Sequence, residues 1–147
     1  MGRLLGIAIK HKKRGEMHEL NHTQVTTTAG VADDFRGKLG DRQVTVLTRE
    51  GWQAACQETK AELPWLTRRA NLYIKGINLH ASAGRRLIIG QLQLLITRET
   101  DPCSRMQEAH EKLFEALNKD WHGGVCCRVI QDGVITIGDQ VVITDAP

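Results

Sequence analysis

The sequence contains no long hydrophobic run and few aromatic residues. No apolar stretch approaches the roughly 18 residues that a transmembrane helix needs. The opening MGRLLGIAIKHKKRG has a short apolar part and places most of its basic residues after that part, the reverse of the order in a signal peptide. Aromatic residues make up 4% of the chain and the net charge is only +3, so the stacking residues and long basic helix of nucleic-acid-binding proteins are missing. We therefore expect a soluble, cytoplasmic protein that contacts neither membranes nor nucleic acid.

The cysteine spacings of disulfide frameworks and zinc sites are also missing. The four cysteines, Cys56, Cys103, Cys126 and Cys127, include no C-x-x-C pair, and adjacent cysteines can be bridged only through a strained ring. Reduced thiols are the default, as in a reducing compartment. The chain has 147 residues and no Pro/Ser-rich linker, so we expect residues 1–147 to form a single domain of unknown oligomeric state.

The segment HELNH, residues 18–22, matches the H-E-x-x-H pattern of zinc proteases. In that pattern His18 and His22 bind zinc from one face of an α-helix, and Glu19 acts as general base. The preceding residues are charged without apolar periodicity, and the β-branched run TQVTTT follows at 23–28. The one or two helical turns left between them are marginal. We interpret the segment as a polar connection or strand start with both histidines solvated.

Short apolar and β-branched runs, often bounded by glycine, recur along the chain. This rhythm predicts an antiparallel barrel or sandwich. The predicted strands are 3–9, 23–28, 43–48, 71–77, 87–90, 92–97, 125–130, 133–138 and 140–144. Two segments have helical periodicity instead: one follows a Thr48 cap, and one runs from Met106 to Leu117 and is expected to end at Gly123-Gly124. The predicted fold class is mainly β (mixed α/β), a barrel with two amphipathic peripheral helices.

The segment TRETDPCSRM, residues 97–106, contains a cysteine in a position suited to chemistry. Asp101 is a good helix N-cap, and Pro102 suits the first helical position. Cys103 then falls in the first turn, where free backbone N–H groups and the helix dipole stabilise a thiolate. The spacing alone leaves an unremarkable loop thiol as the alternative.

The other cysteines and a basic cluster have simpler interpretations. Cys56 lies on the apolar face of its helix as a small core residue, and Cys126 and Cys127 should face opposite sides of a strand, one inward and one outward. The basic cluster comprises Lys10, Lys12, Lys13 and Arg14. We favour a solvated loop for it over a phosphate-binding role.

Six motifs follow one another along the chain: GVADDFR (30–36), RQVTVLT (42–48), RRANLYIKGINL (68–79), RRLIIGQLQL (85–94), DPCSRM (101–106) and GGVCCRVIQDGVITIGD (123–139). Each is weak alone. In this order they span essentially the whole chain and resemble the MOSC domain, named for the C-terminal part of molybdenum cofactor sulfurases. The resemblance implies a MOSC-type β-barrel.

The resemblance also implies a function and a site. A stand-alone MOSC domain would bind molybdenum cofactor (molybdopterin), or carry sulfur for it, on one reactive cysteine, which by the matched position is Cys103. The thiolate would ligate molybdenum, or would accept sulfur as a persulfide. Asp34 and Arg36 match the family's G-D-x-[RH] element, and Arg69 and Asn71 match its R-x-N element, so these four are predicted to bind the cofactor. The structural alternatives are a turn residue for Asn71 and a surface charge for Arg69.

Two departures from the family pattern bear on this expectation. Asp33 stands where the family usually has a second glycine, so a left-handed backbone position would be filled by Asp. We also find no candidate site for pyridoxal phosphate, a cofactor associated with the family through a fused desulfurase domain. Sulfur or electrons would therefore come from a partner, either a cysteine desulfurase or a redox partner protein.

Three functions stay open at this point. The first is the cofactor binder or sulfur carrier. The second is an enzyme, a molybdenum-cofactor-dependent reductase of N-hydroxylated compounds that works with a separate redox partner. The third is a non-catalytic anion-binding or interaction barrel.

Overall fold

The computed structural model describes residues 2–101, 109–110 and 112–145, and it is built around a β-barrel. The strands are β1 Gly2–Ile9, β2 His18–Leu20, β3 His22–Thr26, β4 Gly30–Val31, β5 Val44–Thr48, β6 Leu72–Lys75, β7 Arg86–Ile89, β8 Leu92–Glu99, β9 Val125–Gln131, β10 Gly133–Thr136 and β11 Gln140–Ile143. All nine predicted strands are present with shifted ends. The sequence analysis missed the short strands β2 and β4.

Seven of these strands close into a ring. Their order is β1-β11-β7-β8-β9-β5-β6, and β6 returns to β1, while β2 extends the sheet beside β1. A separate three-stranded sheet has the order β10-β3-β4. The pairing of β5 with β6 is parallel and the other pairings of described strands are antiparallel, so the barrel is mixed where we expected an antiparallel one. A parallel pair needs a long crossover, which the helical segment after Thr48 provides.

The barrel interior is filled by aliphatic side chains that alternate along each strand. In β8, for example, Leu92, Leu94 and Ile96 are buried while the residues between them are half-buried. Each such side chain stabilises the fold by roughly 1.5–3 kcal/mol through its removal from water. This alternation is the periodicity of two that predicted the strands.

Two helices pack against each other outside the barrel. Helix α1, Arg49–Thr59, begins as predicted: the Oγ1 of Thr48 accepts a hydrogen bond from the N–H of Gly51 at 3.0 Å. Helix α2, Leu113–Leu117, ends six residues before the predicted end at Gly123-Gly124, so that prediction is wrong. The intervening residues form turns in which Asp120 and Trp121 have positive φ. Residues 106–108 and 111 of the predicted helix lie outside the described residues.

The HELNH segment forms parts of β2 and β3, with His18 and His22 both exposed, as expected for a chance match. Cys126 and Cys127 alternate along β9 as predicted, but the outward one does not reach solvent, because both are fully buried. Cys127 belongs to the barrel core. Cys126 is covered too, close to the charges of Arg42 and Arg98. In the described part of the chain, no helix is long and apolar enough to cross a membrane.

Candidate functional site

A pocket of about 210 Å³ brings together segments that are distant in the sequence. It is bounded by the residues that follow β1, the loop before β5, the turn before β6, the end of β8 and the segment before β9. Four predicted site residues line it: Asp34, Arg36, Arg69 and Asn71. Cys103, the predicted reactive thiol, lies outside the described residues. Thr100, three positions before it, lines the pocket.

Asn71 is buried and joins three strands through its amide. Its Oδ1 accepts hydrogen bonds from the N–H of Thr45 at 3.1 Å and from the Oγ1 of Thr45 at 3.4 Å. Its Nδ2 donates to the carbonyl of Ala8 at 3.1 Å. The side chain therefore holds β1, β5 and β6 in register at the pocket wall, and a role in ligand contact stays a prediction.

Asp34 shapes the loop that carries Arg36. Its Oδ1 accepts from the N–H of Lys10 at 3.0 Å, and its Oδ2 accepts from the N–H of Arg36 at 3.3 Å. The N–H of Phe35 donates to the carbonyl of Lys10 at 2.7 Å. The preceding Asp33 has a φ of 65°, so the left-handed position inferred from the family glycine is real and is filled by Asp.

Arg69 connects the pocket to the basic turn after β1. It lies in the left-handed region with a φ of 64°, at the end of a 3-10 helix, Trp65–Arg68. Its Nη2 donates to the carbonyl of Gly15. This contact brings the turn to the pocket, where the exposed Lys13 and Arg14 form part of the lining. The basic cluster is exposed, as expected for a solvated loop, but two of its residues also border the pocket.

The sequence analysis did not include Arg68, Thr100 or Gly123 among the site residues, but all three line the pocket. Arg68 is buried, and it donates from Nε to the carbonyl of Gly123 at 3.1 Å and from Nη2 to the Oγ1 of Thr100 at 2.7 Å. The Oγ1 of Thr100 in turn donates to the carbonyl of Gly123 at 2.6 Å. The adjacent arginines of RRANL were the available signal. Arg69 matches the family element, which leaves Arg68 as a second arginine without an assigned role.

Arg42 also lines the pocket and was not singled out, although it opens the RQVTVLT motif. Its Nε is buried and has no hydrogen-bond partner among the residues that the structure describes. An orphaned buried donor costs about 1–3 kcal/mol. Folding alone does not account for such a group, which makes it a candidate for function.

The pocket is strongly electropositive. Seven cations line it, whereas its described lining contains a single carboxylate, Asp34. The cations are Lys10, Lys13, Arg14, Arg36, Arg42, Arg68 and Arg69. The whole chain has 20 Lys and Arg against 17 Asp and Glu, so the remainder of the molecule carries more carboxylates than cations. The positive charge is concentrated at this site.

The pKa of Lys10 reflects this concentration of positive charge. Burial, followed by the charges of Arg36 and Arg69, lowers the pKa of Lys10 to about 8 against the opposing effect of Asp34. Like charges held together in a partly buried pocket repel one another, and an anionic ligand relieves that repulsion. Guanidinium groups suit phosphate in particular, because they bind it bidentately.

Within residues 2–101, 109–110 and 112–145, no group of three or more His, Cys, Asp or Glu side chains is placed to hold a metal ion. The seven cations of the lining, by contrast, suit the described part of the site to an anion.

Comparisons with known proteins agree with this architecture. The family model described as the MOSC domain matches residues 16–142. YuaD from Bacillus subtilis has a TM-score of 0.80 at 19% identity, covering 97% of this chain and 96% of that one. YiiM from Geobacillus stearothermophilus has a TM-score of 0.78 at 16% identity, covering 99% and 76%, and YiiM from Escherichia coli has 0.71 at 14%, covering 99% and 71%. These likenesses show the fold. No curated protein matches the chain in sequence.

Proposed function

Because the chain belongs to the MOSC domain family, we propose that it binds the molybdenum cofactor in the basic pocket, with the thiolate of Cys103 as the protein ligand of molybdenum. The observation that carries this proposal is the pocket's charge, seven cations against one carboxylate in its described lining. The cofactor ends in a phosphate, and this pocket offers it several guanidinium groups. A carrier of sulfur alone needs a reactive thiol but no anion pocket, so the geometry favours cofactor binding.

The described residues fit an anionic cofactor. The orphaned Nε of Arg42 marks a guanidinium that is held at the pocket without compensation from the described protein groups. Arg36, Arg42 and Lys10 would bind the phosphate. Arg68 and Asn71 would position the pocket walls through the hydrogen bonds that they make to Thr100, Thr45 and Ala8.

Thr100 links the pocket to the predicted thiol. It is 2% exposed, and its backbone N–H donates to the carbonyl of Gly124 at 3.0 Å, so the end of β8 is fixed beside the pocket. Cys103 follows three residues later in the sequence. The cofactor, when bound, supplies two-electron redox chemistry at molybdenum, and a thiolate is a suitable soft ligand for that metal.

Cofactor content after anaerobic purification tests the proposal. The full chain should be produced in cells that make molybdenum cofactor, and its molybdenum and its released pterin should be measured by mass spectrometry and fluorescence. We expect near-equimolar pterin in the unchanged chain, loss of most pterin in Arg42→Met, and loss of molybdenum in Cys103→Ser. The matched control is Arg86→Met, because Arg86 is exposed on β7 and does not line the pocket.

Two results would contradict the proposal. One is a chain that carries neither pterin nor molybdenum under these conditions although it binds inorganic phosphate, which would indicate a simple anion-binding module. The other is a persulfide on Cys103 in a chain without pterin, which would indicate a sulfur carrier.

A further inference from the structure

A second cleft, of about 570 Å³, shares a wall with the basic pocket. The segment before β9 contributes to both: Gly123 lines the basic pocket, whereas Asp120, Trp121 and His122 line the second cleft. The first turn of α1 and residues 76–80 after β6 complete the cleft. A ligand in this cleft would therefore lie next to a cofactor in the basic pocket.

The charge of the second cleft is opposite to that of the basic pocket. Its described lining contains two carboxylates, Glu50 and Asp120, and neither Lys nor Arg. Glu50 is held in place, because its Oε2 accepts a hydrogen bond from the N–H of Gly76 at 2.7 Å. In a chain with a net charge of +3, such a local excess of negative charge favours a cationic ligand.

Aromatic rings form one corner of the cleft. The rings of His80 and Trp121 lie 6.3 Å apart between centroids, with an angle of 57° between their planes. Trp121 is half-buried and packs against the barrel core. An indole that lines a cleft together with carboxylates suits a flat cation, through ring contact and cation–π attraction.

The wall that carries these groups is strained. Asp120 and Trp121 have φ values of 49° and 63°, in the left-handed region that bulky residues rarely adopt. The N–H of Gly124 donates to the carbonyl of Trp121 at 3.1 Å, which holds the turn. The ring Nδ1 of His122 is buried without a partner among the described residues. Strain and an orphaned polar group next to a cleft are typical of a functional site.

We propose that this second cleft binds a small organic cation with a flat aromatic face, held by Asp120 and Trp121. That the cation is the substrate of the neighbouring cofactor rests on the proposed function. The binding itself rests on the cleft's two carboxylates and on its aromatic corner.

A charge series of ligands tests the proposal on the full chain. Benzylamine, benzyl alcohol and benzoate share a ring and differ in charge, and their affinities can be measured by calorimetry and by tryptophan fluorescence. We expect the affinity to decrease from the cation benzylamine to the neutral benzyl alcohol to the anion benzoate. The change in tryptophan fluorescence on binding should be lost in Trp121→Phe. In Asp120→Asn, benzylamine should bind about 3-fold more weakly, the scale of one partly exposed charge pair, with benzyl alcohol unchanged.

Two further variants keep the test decisive. Asn tolerates the left-handed region well, so Asp120→Asn should fold normally. Asn78→Asp adds a carboxylate to the lining and preserves the acceptor Oδ1, which now bonds to the N–H of His80 at 3.0 Å. It should tighten benzylamine binding about 3-fold, a gain that misfolding cannot produce. The control Asp145→Asn, at an exposed position outside the cleft, should change nothing.

Benzoate binding as tightly as benzylamine, or no saturable binding of any of the three, would overturn the proposal. An unchanged affinity for benzylamine in both Asp120→Asn and Asn78→Asp would do the same. The measurement does not depend on pterin content, so its failure is separate from failure of cofactor binding. If the chain prefers the cation but never contains pterin, the proposal for the cleft stands and the proposed function is refuted.

Discussion

The guanidinium of Arg68 donates to the hydroxyl of Thr100 at 2.7 Å, and the two residues are only 6% and 2% exposed. Both groups also bond to the carbonyl of Gly123. These contacts join the end of the 3-10 helix, the end of β8 and the segment before β9. Because that segment lines both clefts, one buried arginine helps to fix the geometry of both.

Arg68→Lys should destabilise the fold by about 2 kcal/mol, because an ammonium cannot replace both donors of the guanidinium and buried acceptors lose their partners. Urea unfolding at pH 7 measures this. Arg86→Lys, at the exposed position on β7, should change stability by less than about 0.5 kcal/mol. Equal effects of the two changes would show that the buried contacts contribute little.

Asp33→Gly should stabilise the fold by up to about 1 kcal/mol, because glycine adopts a positive φ without the clash of a Cβ. The φ of 65° at Asp33 is the basis of this expectation. Asp33→Ala should have the opposite effect, since Ala tolerates the left-handed region less well than Asp. Thermal unfolding of the three chains gives the order, and a less stable Gly variant would mean that the Asp side chain makes a compensating contact.

Local sequence signals predicted the elements whose determinants are local. The Thr48 cap and the apolar spacing of α1 are contained within one short segment, and so is the alternation of β8. The end of α2 was predicted wrongly because Gly123-Gly124 resembles a helix C-cap, whereas Asp120 and Trp121 already have positive φ. The burial of Cys126 was missed because strand periodicity describes two faces but not what covers them.

The candidate site shows the same contrast between features set by a short segment and features set by the fold. Asp34, Arg36, Arg69 and Asn71 were predicted as site residues through motifs, and the fold places them around one pocket. Arg42 was missed because its contribution depends on barrel closure, which brings the start of β5 to the turn before β6. Spacing along the chain carries no information about such contacts. The position of the basic turn after β1 beside the pocket was not predicted for the same reason.

Lys10 should make stability depend on pH in the alkaline range. Its pKa is about 8 in the folded chain against 10.5 ordinarily, so between these values the unfolded state holds a proton that the folded state has lost. The free energy of unfolding should therefore rise as the pH rises from 8 to 10.5, and below 8 the full cost of the buried charge is present. Lys10→Met should remove this slope, and at pH 7 it should add about 1 kcal/mol after solvent screening.

Denaturant unfolding of both chains at several pH values provides the test, with the difference between them cancelling the other titrating groups. An anion in the pocket should reverse the effect, because it favours the charged amine. The affinity for phosphate should accordingly fall as the pH rises above 8, and it should fall less in Lys10→Met. A pH-independent difference between the two chains would show that Lys10 keeps its ordinary pKa.

The four thiols should react in an order that the structure now sharpens. Burial raises the pKa of Cys127 far above its ordinary range, and burial also raises the pKa of Cys126 against the opposing charge of Arg98. Both should stay silent toward iodoacetamide until the chain unfolds, because the thiolate is the nucleophile. Cys56 is half-buried, with its Sγ 4.0 Å from the carbonyl of Leu63, and should react slowly.

Cys103 should be alkylated first near neutral pH, because its place after Asp101 and Pro102 predicts a stabilised thiolate. Peptide mass mapping after brief labelling gives the order directly. Cys103→Ser should remove the fast phase and leave the slow label on Cys56 unchanged, which separates reactivity from general loosening of the fold. Fast labelling of Cys126 in the folded chain would place the reactive thiol beneath Arg42 and Arg98 instead. The molybdenum ligand would then have to be sought there.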